Sequence, residues 1–120
     1  MTNILYNNIS KNDYGIKTTS NTHGNPILNN NISQNNYGME LDGSNHNVFT
    51  NNISNNNNIG IRLLGENNNI STNNISNNGD GIRLSGSRNN ISSNNISDNS
   101  YGIIQTFGSV SYTHLRAHET

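Results

Sequence analysis

The sequence predicts an all-β chain wound as a right-handed parallel β-helix, a solenoid of about five coils of 21–23 residues with three short strands in each. Three observations predict it. Asn-Asn-Ile-Ser recurs at residues 7–10, 30–33, 51–54, 73–76 and 94–97, and its isoleucines step by 23, 21, 22 and 21 residues. The other apolar residues fall into columns when the repeats are aligned on that isoleucine. The runs between turn-forming residues are only three to five long and dominated by β-branched Ile, with Asn and Gly where a helix needs good formers. A fixed period of this size marks a unit that cannot bury its apolar face alone and stacks on its own copies. Parallel crossovers are overwhelmingly right-handed, which sets the expected hand.

Each coil supplies three apolar sites. The first column holds Ile4, Ile27, Val48, Ile70 and Ile91; the second, five residues later, holds Ile9, Ile32, Ile53, Ile75 and Ile96. The third follows a glycine and holds Ile16, Met39, Ile61, Ile82 and Ile103. Two residues further, on the same face of an extended segment, stand Thr18, Leu41, Leu63, Leu84 and Gln105. Strands this short are unstable alone, so equivalent segments of successive coils are expected to stack about 4.8 Å apart into three long parallel sheets.

Two Asn columns flank the second strand. Asn7, Asn30, Asn51, Asn73 and Asn94 precede its isoleucine by two, and Asn12, Asn35, Asn56, Asn78 and Asn99 follow it by three. Asn accepts left-handed backbone better than other residues with a Cβ, which suits tight corners. Stacked at strand spacing, each side-chain amide can also donate to the Asn carbonyl of the next coil, making an asparagine ladder.

Composition bounds the function. Only 28% of the 120 residues are apolar and Asn is the commonest residue, a balance typical of disordered or aggregation-prone tracts; the aligned columns exclude that reading. A formal charge of −1 with six Lys+Arg leaves no basic stripe, so nucleic acid is not an expected partner. The absence of Cys removes disulfides and thiolate metal sites. No apolar run approaches the roughly 20 residues that span a bilayer, and no basic-then-apolar leader opens the chain. Met1 enters almost directly into a repeat, and neither end reads as a cap. The expected unit, residues 1–109, is therefore a β-helix fragment whose main partners are further coils of the same full-length chain.

Irregularities mark loops. Residues 18–26, holding His23 and the single Pro, read as an enlarged loop, and one extra residue in 55–58 reads as a bulge. Residues 110–120 break the register. They carry no Asn or Ile, resemble the translated end of a transposase-based sequencing adapter, and are read as a non-native tail. His114 and His118 in that tail are accordingly not read as a metal site.

Few residues remain for chemistry. Lys17, Glu40, Arg62 and Arg83 share an outward column, with Glu40 and Arg62 expected to pair. Arg62, Arg83 and Arg88 are the candidate binding residues for an anionic or sugar ligand. Tyr14, Tyr37 and Tyr101 stand just before the column glycines and are expected to pack at a corner, their ladder interrupted by Ile59 and Asp80. Asp42, Glu66, Asp80 and Asp98 lie in different columns and form no carboxylate pair of the kind glycoside hydrolysis needs. No catalytic residue and no cofactor is assigned.

The pattern Asn-x-Ile-x-x-Asn-x-Ile-Ser-x-Asn-x-x-Gly-Ile-x-Leu, clearest in residues 73–84 and 89–97, resembles the right-handed parallel β-helix superfamily. It is most similar to NosD-type repeats, named for a periplasmic copper-binding accessory protein. The resemblance covers residues 3 to about 109 and implies a pectate-lyase-like fold and an extracytoplasmic location. It carries no copper ligands across, because the chain has no Cys and sets Met39, His23 and His46 apart in register, and the expected metal site is none. The resulting expectation is a structural or carbohydrate-facing segment of a larger surface protein, with polysaccharide as a possible ligand class. The rivals are a piece of a polysaccharide lyase, glycosidase or uronate epimerase, and a copper-maturation accessory protein.

Overall fold

A computed structural model describes residues 3–106 and the backbone of 114–119. All regular structure among them is β, and no helix is long and apolar enough to cross a membrane. The first coil contributes β1 (Ile4–Leu5), β2 (Asn8–Ser10) and β3 (Tyr14–Lys17). The second contributes β4 (Pro26–Leu28), β5 (Asn31–Ser33) and β6 (Tyr37–Leu41), and the third β7 (Asn47–Phe49), β8 (Asn52–Ser54) and β9 (Ile59–Leu63). The fourth contributes β10 (Asn69–Ser71), β11 (Asn74–Ser76) and β12 (Asp80–Leu84). β13 (Asn90–Ser97), β14 (Tyr101–Gln105) and β15 (His114–Glu119) follow.

Every strand pairs in parallel with its counterpart one coil away, in the register of the sequence columns: Ile32 with Ile53, Ile75 with Ile96, Ile61 with Ile82. The result is a right-handed parallel β-solenoid of about five coils. Its three strand stacks do not make three separate sheets. The first and second stacks merge into one ten-stranded sheet, while β3, β6, β9, β12 and β14 form a second sheet of five. They merge because β13 runs unbroken around its corner and β15 follows it, pairing Asn90 with His114 and Asn95 with His118 across a register shift between Ile91 and Asn94. The tail read from sequence as foreign thus includes a stretch whose backbone extends the stack. An open parallel edge can pair with any extended backbone, whatever its side chains. The side chains of 114–119, those of His114 and His118 included, and residues 110–113 and 120 of the adapter-like stretch lie outside the described residues.

Side chains from all three stacks fill the axis. Ile16, Ile27, Ile32, Met39, Leu41, Val48, Ile53, Ile61, Leu63, Ile70, Ile75, Ile82, Leu84, Ile91 and Ile96 form one buried cluster. Ile4, Ile9 and Ile103 pack against it half-buried in the outer coils. Glycine precedes the third column because coils approach too closely there for a side chain: a Cβ on Gly38 would lie 2.5 Å from the Gly60 carbonyl oxygen, and one on Gly81 equally close to that of Gly102.

The corners correct the sequence expectation. The left-handed residue is not the column Asn but the one before it: Tyr6, Asn29, Thr50, Thr72 and Ser93 in one row, and Lys11, Gln34, Asn55, Asn77 and Asp98 in the other. The column Asn turns its side chain along the solenoid axis instead. Asn51 Oδ1 accepts from the Asn30 backbone N–H at 2.9 Å and from Asn30 Nδ2 at 3.0 Å. Asn51 Nδ2 donates to the Ile27 carbonyl at 2.8 Å and to Asn73 Oδ1 at 3.0 Å. All four hydrogen-bonding positions of that buried amide are filled. Asn56 repeats the pattern in the second ladder.

A third ladder, at the corner before the first stack, escaped the sequence reading. Asn25, His46, Asn68 and Asn89 are buried there, each linked to the next through a backbone N–H and a side-chain acceptor. The histidine hid it by interrupting the Asn column. The extra residue of coil three lies in the turn before β9, where the N–H groups of Asn58 and Ile59 both donate to the Asn36 carbonyl. That two-against-one pairing is the expected bulge.

Candidate functional site

The outer face of the five-stranded sheet carries the densest charge. Register places Lys17 beside Glu40, Glu40 beside Arg62, and Arg62 beside Arg83. The Arg62 guanidinium meets Glu40 at 3.1 Å and Lys17 meets the same carboxylate at 3.6 Å. Arg83 turns to Asp80, three residues back on its own strand, at 2.7 Å. Both carboxylates are nearly buried, whereas the Arg62 and Arg83 side chains are 37% and 42% exposed. The two arginines avoid mutual repulsion by taking separate carboxylates. Arg83 Nε is buried without a hydrogen-bond partner.

Arg88 does not join this pair. It sits beyond the turn that follows β12, in a left-handed corner, and bonds Glu66. Tyr14 and Tyr37 stack with centroids 4.9 Å apart and planes 10° from parallel, and the Lys17 ammonium lies 4.3 Å from the Tyr14 centroid. Their ring faces are thus turned toward each other and toward Lys17. Tyr101 shares their column but is separated by Ile59 and Asp80 and is 64% exposed.

The enlarged loop forms a second feature. Ser20, His23, Asp42, Gly43, Ser44, Gly65 and Glu66 line an open depression of about 220 Å³. Asp42 and Glu66, which sequence columns kept apart, share its wall because the corner brings successive turns side by side. His23 Nδ1 lies 2.8 Å from Ser44 Oγ, while the Gly43 and Gly65 amides already donate to Asp42 Oδ1 and the Leu41 carbonyl. The depression therefore has a Ser–His contact without glycine amides to stabilise an oxyanion.

His46 lies just inside. Its Nδ1 accepts from the Asn25 N–H and its Nε2 faces the Asp42 carbonyl at 3.1 Å, which fixes a neutral ring protonated on Nε2. Burial lowers its pKa below the usual 6.5, the Asp42 carbonyl opposes that shift, and the charge on nearby His23 adds to it. The donor set does not fit copper. Both His46 nitrogens are engaged, Met39 is sealed in the core, and no group of three His, Cys or carboxylate side chains converges among the described residues.

The outer face of the second stack is different in kind. Asn8, Asn31, Asn52, Asn74 and Asn95 point outward and are exposed, because the isoleucine after each points in. Asn31 Nδ2 donates to Asn8 Oδ1 at 3.3 Å, Asn52 to Asn31 at 3.2 Å, and Asn74 to Asn52 at 3.3 Å. This external ladder also went unread in the sequence, where it merged with the Asn-Asn-Ile-Ser repeat.

Among solved structures, the chain is similar to a crystal structure of the T265N mutant of the periplasmic alginate epimerase AlgG, with 26% identity and a TM-score of 0.69. The match covers 82% of this chain and 25% of that one, so the chain spans about a quarter of the epimerase's length. No curated protein matches the chain. The family model described as "Periplasmic copper-binding protein (NosD)" matches residues 1–113, and the chain belongs to that family of parallel β-helix repeats.

Proposed function

We propose that this chain is a carbohydrate-facing, non-catalytic β-helix segment of a larger extracytoplasmic protein, and that its outer five-stranded face holds an acidic polysaccharide. The carrying observation is the Arg62–Arg83 pair. Two guanidiniums in register at strand spacing, both partly exposed, each keep N–H groups outside their ion pairs. A carboxylate lying across the two would accept from those outward N–H groups, in the charge-assisted geometry that guanidinium favours. That the family is described as periplasmic and the similar alginate epimerase is a periplasmic protein supports the location.

The specific rival is a piece of a polysaccharide-modifying enzyme, favoured by the likeness to an alginate epimerase. Against it, Glu40 and Asp80 are already engaged by arginines rather than placed as an acid and a base. Calorimetry of the chain with oligouronates should show binding that the Arg62→Ala, Arg83→Ala double variant loses. Absence of binding by the parent chain would sink the proposal. Incubation with alginate in deuterated water separates the rival: solvent hydrogen appearing at the sugar C5 would make the segment catalytic.

A further inference from the structure

The external asparagine row of the second stack is a site distinct from the arginine pair, and we infer that it docks an uncharged polysaccharide chain lying parallel to the solenoid axis. Each of Asn31 and Asn52 uses one Nδ2 hydrogen and one Oδ1 lone pair within the row. One donor and one acceptor per rung are left facing outward. A serine two residues after each asparagine stands half-buried on the same face, adding a second row of hydroxyls.

The chemistry of the row selects its occupant. Neither row holds an ionisable side chain, so an acidic polymer gains nothing there that offsets its desolvation. Neither row holds an apolar side chain either, and a protein partner would find no buried anchor of the kind that carries interface energy. A 1→4-linked neutral pyranose chain presents hydroxyls that both donate and accept, and it advances by close to one strand spacing of about 4.8 Å per ring. One ring therefore lies over each coil, and because successive rings of a β-1→4 chain are turned over, the same hydroxyls return to the row at every second coil. The row is held in one orientation by its own hydrogen bonds, so little side-chain entropy is lost on binding. Individual contacts are weak, and affinity comes from repetition along the stack. This reading goes beyond the acidic-polysaccharide proposal and does not depend on it.

The test is retention of the full chain on microcrystalline cellulose, with cello-oligosaccharide titration as the solution counterpart. The parent chain is expected to be retained, Asn31→Ala, Asn52→Ala, Asn74→Ala to lose at least tenfold in affinity, and Arg62→Ala, Arg83→Ala to bind cellulose undiminished. Circular dichroism checks that the triple variant keeps its β signal. Should it not fold, Ser33→Ala, Ser54→Ala, Ser76→Ala provides the same comparison. Failure of the parent chain to bind, unchanged retention of the folded Asn or Ser variant, or self-association through this face in sedimentation would each overturn the inference. Loss of oligouronate binding alone would leave it standing.

Discussion

Asn25 donates its backbone N–H to Nδ1 of His46 across 3.2 Å, inside a ladder whose other rungs are Asn68 and Asn89. An imidazole here replaces an amide, and with it the corner acquires a titratable group. Protonation of Nδ1 would set two N–H groups against each other. The folded pKa is lowered from 6.5, so the unfolded chain binds the proton more readily. His46 therefore contributes stability that is fully present above about 6.5 and is lost as pH falls from there through the lowered folded value. Urea midpoints should drop between about pH 8 and pH 5. His46→Asn should restore an uninterrupted ladder and flatten that part of the profile; an unchanged slope would show that His46 is not responsible.

Asn73→Ala should be among the most damaging single changes. Asn73 Oδ1 accepts from the backbone N–H and Nδ2 of Asn51, and Asn73 Nδ2 donates to the Val48 carbonyl and to Asn94 Oδ1. Truncation strands several buried groups, each costing about 1–3 kcal/mol. A total loss of about 3 kcal/mol or more is expected in urea denaturation. Asn74→Ala, one residue away but exposed, should cost less than about 0.5 kcal/mol.

Thr72 holds φ at +56°, a left-handed conformation that β-branched residues resist. The equivalent corner position is Asn29 in coil two, also left-handed. Thr72→Asn should raise stability by about 1 kcal/mol, seen as a higher thermal midpoint, without altering the β signal. Destabilisation would mean that the threonine makes a compensating contact.

Gly60→Ala should destabilise by about 1–3 kcal/mol, because its Cβ would sit 2.7 Å from the Gly81 carbonyl oxygen and 3.0 Å from Asn78 Nδ2. Relief requires two coils to separate. The β signal should melt earlier in circular dichroism, and a neutral outcome would show that the stack can slide.

Glu40→Gln tests the charged face. Glu40 is the shared partner of Lys17 and Arg62, so its neutralisation frees the Arg62 guanidinium beside Arg83. Stability should change by less than about 1 kcal/mol, since both cations are partly exposed. Oligouronate affinity should rise, read by calorimetry, if the arginines form the acidic-ligand site.

The coil repeat, the inward columns and two of the internal ladders are legible in the amino-acid order alone. Each of these is a translational repeat: Ile53 and Ile75 must face the same way because the chain returns to the same place after every turn. The tertiary structure decided what the repeat cannot express. Whether Arg83 pairs with Asp80 or Glu40, whether Asp42 and Glu66 share a depression, and whether His46 substitutes for an asparagine all depend on how one coil is offset along the axis from the next. The left-handed residue falling before the ladder Asn was decided there too, because the amide must point along the axis to reach its neighbours, and only the preceding residue is left to turn the chain. Repetition is legible locally, whereas the partner of a single charged or buried polar group is a property of the stacked coils.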